Sequence, residues 1–497
     1  MTAQTVVQAL TKADAEEQVA IRKQSVALIL AFAVLFVLHL APGFTGMTLV
    51  GLKPQSQTIL AIFLWFIICM ITDALPKAVV GLVGPTLVFV LAGYKIPDAF
   101  KAFTTDAFFL ASGAFIYAAI MMGTPLGKRI ALNITTALKS ARVTRILLGL
   151  SFADLAIGGV LPTVSETALF LPIAKGVSGL MRGREHLPES KRINTAILLM
   201  ITGLFPLFTG PLILTSHFPN LQLVAHFQQA LKISITWMDW FVYNLPLWGL
   251  LPILFAYVVW YFKLNKLEIP NADEELPKLR QELGKITRPE IWALVCILLG
   301  LVMWVTEGTL HTISAGMVSL LVVLLLFLPF GKVAFKNISQ HIMWDVWVLL
   351  GGAISLSGAL ETSGVGKWLA DIIVSPIKGA VGLSPIVVLL ILVFGFHIAR
   401  AGIVSAVAMG AVFIPLATGV AQQLGMNTLA FTLIVTNCLS YAFFLPISIT
   451  AFMIAWGASG ESGWKVIKFG VPLSIIANIY VILTQSAWLA MLGFPLK

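Results

Sequence analysis

The sequence predicts an all-α polytopic membrane protein. Three observations carry that reading: apolar runs long enough to cross a bilayer, a scarcity of charge, and an internal repeat broken at matching places. The chain is 59% hydrophobic and 11% charged, with a mean hydropathy of +0.96. A soluble globular chain carries about 25% charged residues, so water is not the main solvent here. Runs of roughly 17–25 apolar residues recur from Ser25 to Phe494, and each spans about 30 Å of hydrocarbon. The alternating segments of a membrane β-barrel, roughly 10 residues each, do not recur.

The net charge of +10 fits the same picture. Lys and Arg collect on cytoplasmic loops of membrane proteins, and no nucleic-acid partner is expected. Cys69, Cys296 and Cys438 lie inside apolar segments, without metal or disulfide spacing. The N-terminus lacks a cleavable leader pattern. Residues 1–24 are polar and read as a cytoplasmic helix before the first span.

Spans are expected at 25–42, 57–75, 78–94 and 106–123. The stretch 126–145 is basic on one face and apolar on the other, which suits an interfacial helix. Segment 143–180 is apolar but interrupted by GGVLPT, and segment 193–227 is interrupted at TGPLILTSHFPN. A span at 237–263 precedes the hydrophilic linker 264–288. Further spans fall near 289–307, 311–330 and 343–362, followed by an amphipathic piece at 364–376. Two more interrupted segments, 384–421 and 427–457, and a last span, 467–494, complete the chain. If 143–180 and 384–421 enter and leave on one side, the predicted cytoplasmic loops hold most of the Lys and Arg. That places the N-terminus in the cytoplasm and the C-terminus outside a plasma (inner) membrane.

The two halves repeat. Aligned at Gly113 and Gly352, Asp106 meets Asp345, Ala114 meets Ala353, and Gly127-Lys128 meets Gly366-Lys367. Further on, Gly159 meets Gly402, Ala168 meets Ala411, Phe170 meets Phe413, and Pro172 meets Pro415. Each copy holds an odd number of spans, so the copies lie inverted across the membrane. Inverted repeats with broken helices characterise secondary transporters, whose site sits near the midplane. Glu166 lies beside the first break. A carboxylate facing lipid there would cost at least ~2.5 kcal/mol, so it is expected to face protein or a wet cavity.

The stretches LLGGAISLSGALETSGVGKWLA, FLPISITAFMIAWGASGESGWKVIKFG and ITWMDWFVYNLPLWGLLPILFAY resemble the divalent anion/sodium symporter family of di- and tricarboxylate and sulfate carriers. The resemblance covers almost the whole chain. It implies an inverted-repeat elevator transporter with about eleven transmembrane helices and two re-entrant hairpins, working as a homodimer. In that scheme 25–142 and 289–383 supply the scaffold and its arms. The segments 143–236 and 384–497 supply the mobile transport part, with 237–263 between them and the linker. The family's Ser-Asn-Thr triplets at the hairpin tips fall here on Pro162-Thr163-Val164 and Ser405-Ala406-Val407. Both depart from the pattern, which weakens the case for sodium and leaves backbone carbonyls as the ligands it would use.

Substrate-binding candidates are Thr163, Glu166, Thr167, Asn220, Arg400, Ser405 and Thr450. Arg400 has the forked guanidinium that suits carboxylate or sulfate, and a fixed cation there favours exchange over symport. Glu166, Asn437 and Thr215 are candidates for cation coupling. The competing role of Glu166 is an internal partner for Arg400 or Lys175. For Asp154 and His397, which occupy comparable places in the two repeats, a structural role is expected. The neutral side chains may equally be interhelical hydrogen-bond partners, worth ~0.6 kcal/mol each. The expected function is secondary transport of a small organic anion, a di- or tricarboxylate, by exchange or with protons; the alternative is a sodium-coupled dicarboxylate or sulfate symporter. No catalytic residue, cofactor or resident metal is expected, and no HExxH or plausible Ser–His pair supports an enzyme. Besides the substrate, the expected surroundings are membrane lipid and a second copy of the chain.

Overall fold

The computed structural model describes residues 3–375, apart from 47, 50, 182 and 185, and residues 384–497. The end of the second amphipathic arm and its linker, 376–383, lie outside the described residues, as do the side chains of most of the first twenty. Helices account for nearly all the regular structure, and no strand occurs among the described residues. Seven helices are long and apolar enough to cross a membrane, or up to nine when bent pairs are joined. Four shorter apolar helices, Lys77–Ala92, Ala315–Leu326, Pro385–Arg400 and Thr428–Leu439, fall below that length. The chain is a multi-pass membrane protein. Its first helix, Ala3–Thr45, runs without a break through the boundary expected at residue 24.

Local sequence sets several of the ends. Thr287 opens helix Arg288–Val305 with a capping box, its hydroxyl 2.8 Å from Glu290 Oε1, and Pro289 follows in the first turn. Glu290 also accepts from Arg129 Nε at 2.7 Å, while the same guanidinium donates to the Gly284 carbonyl at 2.9 Å. The arm helix Leu126–Ala137 is thereby tied to the linker and the next span. Ser384, Ser405 and Asn427 each cap the helix they precede.

The two repeats pair through small residues. Helix Lys77–Ala92 crosses Trp344–Thr362 so closely that a methyl group on Gly81 would strike the Leu349 backbone, and one on Gly352 would strike the Gly81 carbonyl. Without a hydrophobic driving force between helices in lipid, such close backbone approach supplies the packing energy. Helix Asp106–Gly123 lies on Ala315–Leu326, where the Tyr117 hydroxyl donates to the Ser319 carbonyl at 2.7 Å. Its Asp106 accepts from the Gly316 amide at 3.1 Å and from the Ser314 hydroxyl.

Both segments expected as hairpins are helix–turn–helix units. The first joins Val143–Gly158 to Thr163–Gly179, and the second joins Pro385–Arg400 to Ala406–Gln423. Both interrupted spans are broken at extended residues. Ile213 and His217 flank the first break, with ψ of 128° and 132°. Ile449, with ψ of 135°, ends the second, which follows Leu439.

Gly81→Leu should open the Gly81–Gly352 crossing and cost about 1–3 kcal/mol by overpacking. The expected result is a lower melting temperature in detergent. Gly176→Ala, where nothing lies within 4 Å of the added carbon, should leave it unchanged.

Candidate functional site

The two turns and the two breaks meet at one pocket. Thr163 and Val164, Ser405 and Ala406, His217 and Phe218, and Ile449 and Thr450 all line it. These are the N-terminal ends of four helices: Thr163–Gly179, Ala406–Gln423, Phe218–His226 and Thr450–Ser459. Each start leaves backbone N–H groups without intrahelical acceptors and carries partial positive charge. The far wall comes from Lys77, Val346 and Leu349. Lys77 is the one lining residue with a fixed charge. The open space is small, about 60 Å³, a fit for a compact polar group. Converging helix N-termini with a lysine make an anion site.

Thr163, Ser405 and Thr450 line the pocket wall. Thr163 also ties the first turn to the first break: its hydroxyl donates to the Ser216 carbonyl at 2.9 Å and lies 3.1 Å from His217 Nδ1. Thr215 donates to the Gly159 carbonyl at 2.9 Å, and Ser216 donates to the Gly158 carbonyl. Thr167 donates back to the Thr163 carbonyl at 2.9 Å within its own helix. Asn220 spans the break, donating to the Gly210 and Ile213 carbonyls at 2.9 and 3.0 Å.

Arg400 is fully buried and is not among the pocket-lining residues. Its Nε donates to the Leu439 carbonyl at 2.7 Å, and Nη1 donates to the Ile403 and Ser448 carbonyls at 2.8 and 3.2 Å. One guanidinium thus joins the second turn to both edges of the second break. It also places a cation at the C-termini of Pro385–Arg400 and Thr428–Leu439, whose ends carry partial negative charge. Nη2 has no protein partner.

Glu166 forms no ion pair with Arg400 or Lys175 among the described residues. It points away from the pocket. A methyl group on Gly158 would overlap its carboxylate, and Asp154 lies one turn earlier on the same helix face. The two carboxyls are fully buried and interact with each other, and among the described residues no other group donates to their four oxygens. Asn437 joins a separate polar cluster, donating to Asn244 Oδ1 at 2.6 Å and Gln485 Oε1 at 3.1 Å. His397 packs with its Nδ1 2.7 Å from the Val393 carbonyl and its Nε2 3.3 Å from Asn478.

Sequence reasoning missed His217 and Lys77 as pocket residues. His217 carried a signal, since it stands inside the TSHFPN break. Lys77 carried none, standing just before the span expected at 78–94.

The fold and the site define a membrane carrier of anions, a secondary transporter and not an enzyme. The chain belongs to the family described as the sodium:sulfate symporter transmembrane region, whose model matches residues 22–494. It is 24% identical over 475 residues to the sodium-dependent dicarboxylate transporter SdcS of Staphylococcus saprophyticus, covering 90% of this chain and 89% of that one. It is 24% identical over 468 residues to an L-tartrate/succinate antiporter of Escherichia coli, covering 89% and 94%. The solved structure of the Alcanivorax borkumensis YdaH transporter matches with a TM-score of 0.50 at 13% identity, over 88% of this chain and 99% of that one. That last likeness concerns the fold alone.

Arg400→Gln removes the donor shared by three buried carbonyls, and each one left unpaired costs about 1–3 kcal/mol. The variant is expected to lose anion uptake and to melt earlier than wild type. Near-normal uptake in vesicles would contradict a role for Arg400 in holding the second turn.

Proposed function

We infer that the protein carries small di- or tricarboxylates across a bacterial-type inner membrane by an elevator motion, as an exchanger or with protons. The convergence of both turns and both breaks on one pocket, with four helix N-termini and Lys77 around it, carries this reading. Thr163, Ser405, Thr450 and His217 bind the anion in it. Glu166, Thr167, Asn220, Thr215 and Asn437 are given supporting places, and the chain works as a homodimer with its N-terminus in the cytoplasm and its C-terminus outside.

Exchange is preferred to sodium symport because of the state of the backbone. A sodium ion held without side-chain ligands would use unwound carbonyls. Here the Gly158, Gly159 and Ser216 carbonyls accept from hydroxyls of Ser216, Thr215 and Thr163. The Leu439, Ile403 and Ser448 carbonyls accept from Arg400. Arg400 then supplies permanently the positive charge that a symported ion would bring. The Asp154–Glu166 pair gives the proton-coupled version its place, since neighbouring buried carboxyls favour holding a proton between them. The sodium-coupled reading rests on the family description and on the named activity of the Staphylococcus relative.

Preloaded proteoliposomes decide between these. Exchange predicts release of internal succinate only when succinate is added outside, unchanged when sodium is replaced by choline. Strict dependence on sodium would instead establish symport. If protons are coupled through the acidic pair, Glu166→Gln should abolish uptake driven by a pH gradient while leaving counterflow measurable. Unaltered gradient-driven uptake would remove the pair from the mechanism.

A further inference from the structure

We propose that Lys77 is a one-sided anion clamp, holding the substrate in only one of the carrier's two end states; this rests on the elevator reading above. The polar side chains at the pocket divide by origin. Thr163, His217, Ser405 and Thr450 come from the turns and breaks, the parts that move together in that reading. Lys77 comes from the opposite wall. It opens helix Lys77–Ala92, one turn before Gly81, where that helix is locked against Trp344–Thr362. Leu349 belongs both to that locked crossing and to the pocket wall. Lys77 is thus fixed to the element that stays while the site travels.

Its charge is available. Lys77 is half-buried, and no ion pair or hydrogen bond engages its side chain among the described residues. The remaining attraction for an anion comes from helix ends and neutral donors, so the lysine supplies the one full positive charge at the wall. Ammonium-to-carboxylate contact is charge-assisted and about twice as strong as a neutral hydrogen bond.

The opposite half offers no equivalent. In the register that pairs Asp106 with Asp345, Lys77 falls on Gly316. There the chain presents no cation. The Gly316 amide and the Ser314 hydroxyl are instead bound to the Asp106 carboxylate. A second cavity between the halves is lined by Asp98, Glu361 and Lys101, two acids to one base. When the turns and breaks move away from Lys77, the anion loses that full-charge partner, and Lys101 in the second cavity is offset by Asp98 and Glu361. The carrier therefore binds its substrate unequally on the two faces, more tightly on the face where Lys77 stands. In the proposed orientation that face is cytoplasmic, since helix Lys77–Ala92 starts there.

The test uses membrane vesicles of both orientations and succinate as the probe, with wild type, Lys77→Gln and Lys77→Arg. Lys77→Gln should raise the half-saturating succinate concentration on the cytoplasmic face about 10–100-fold. On the outer face it should change by less than about twofold, and Lys77→Arg should restore most of the loss. An equal change on both faces, or none on either, overturns the clamp; the second outcome leaves Lys77 facing lipid headgroups. If wild-type vesicles exchange no succinate, tricarboxylate or sulfate at all, the functional reading fails and the clamp falls with it. Wild-type exchange with an unsided Lys77→Gln overturns the clamp alone.

Discussion

The structure depends on how the backbone is satisfied where four helices are interrupted inside the membrane. A broken helix exposes amides at one end and carbonyls at the other, and hydrocarbon satisfies neither. In this chain the two classes of orphan are treated differently. The carbonyls are bound internally, by Thr163, Thr215 and Ser216 at one junction and by Arg400 at the other. The amides at the four helix starts gather around a pocket. Ser405 caps one of these starts, and the partial positive charge gathered at all four is what an anionic solute completes.

That asymmetry links stability to function. The hydroxyls and the guanidinium that stabilise each turn also join it to its neighbouring break. The scaffold helices are held by a different device, close crossing at Gly81 and Gly352. The pocket lies between hydrogen-bonded breaks on one side and the glycine-tight crossing on the other.

The two halves are alike in backbone and unlike in chemistry. The first junction is closed by three hydroxyls and a histidine, the second by one arginine. The first hairpin buries Asp154 and Glu166 side by side, while the corresponding places of the second hold His397 and no second acid. In a low dielectric, each such charge weighs heavily on which ions accompany the substrate.

Much of this was legible in the amino-acid order. Hydropathy placed the apolar helices, because segments surrounded by lipid must be long and apolar. The Gly-Gly…Pro and TSHFPN interruptions marked the first turn and the first break, because proline and extended residues stop helices locally. Pro172 and Pro415 set the register between the repeats, and that register put Thr163 and Ser405 at corresponding turns. What the order of residues left open was the direction of each side chain and its distant neighbours. Glu166 and Arg400 read as substrate ligands because each stands near a turn. Packing turned Glu166 toward Asp154 and spent two nitrogens of Arg400 on carbonyls from a break many residues away. Lys77 stood just before the span expected at 78–94, and only the crossing of two distant helices brings it to the pocket wall. Local physics decides where a helix starts and stops; contact between remote segments decides which charge meets the ligand.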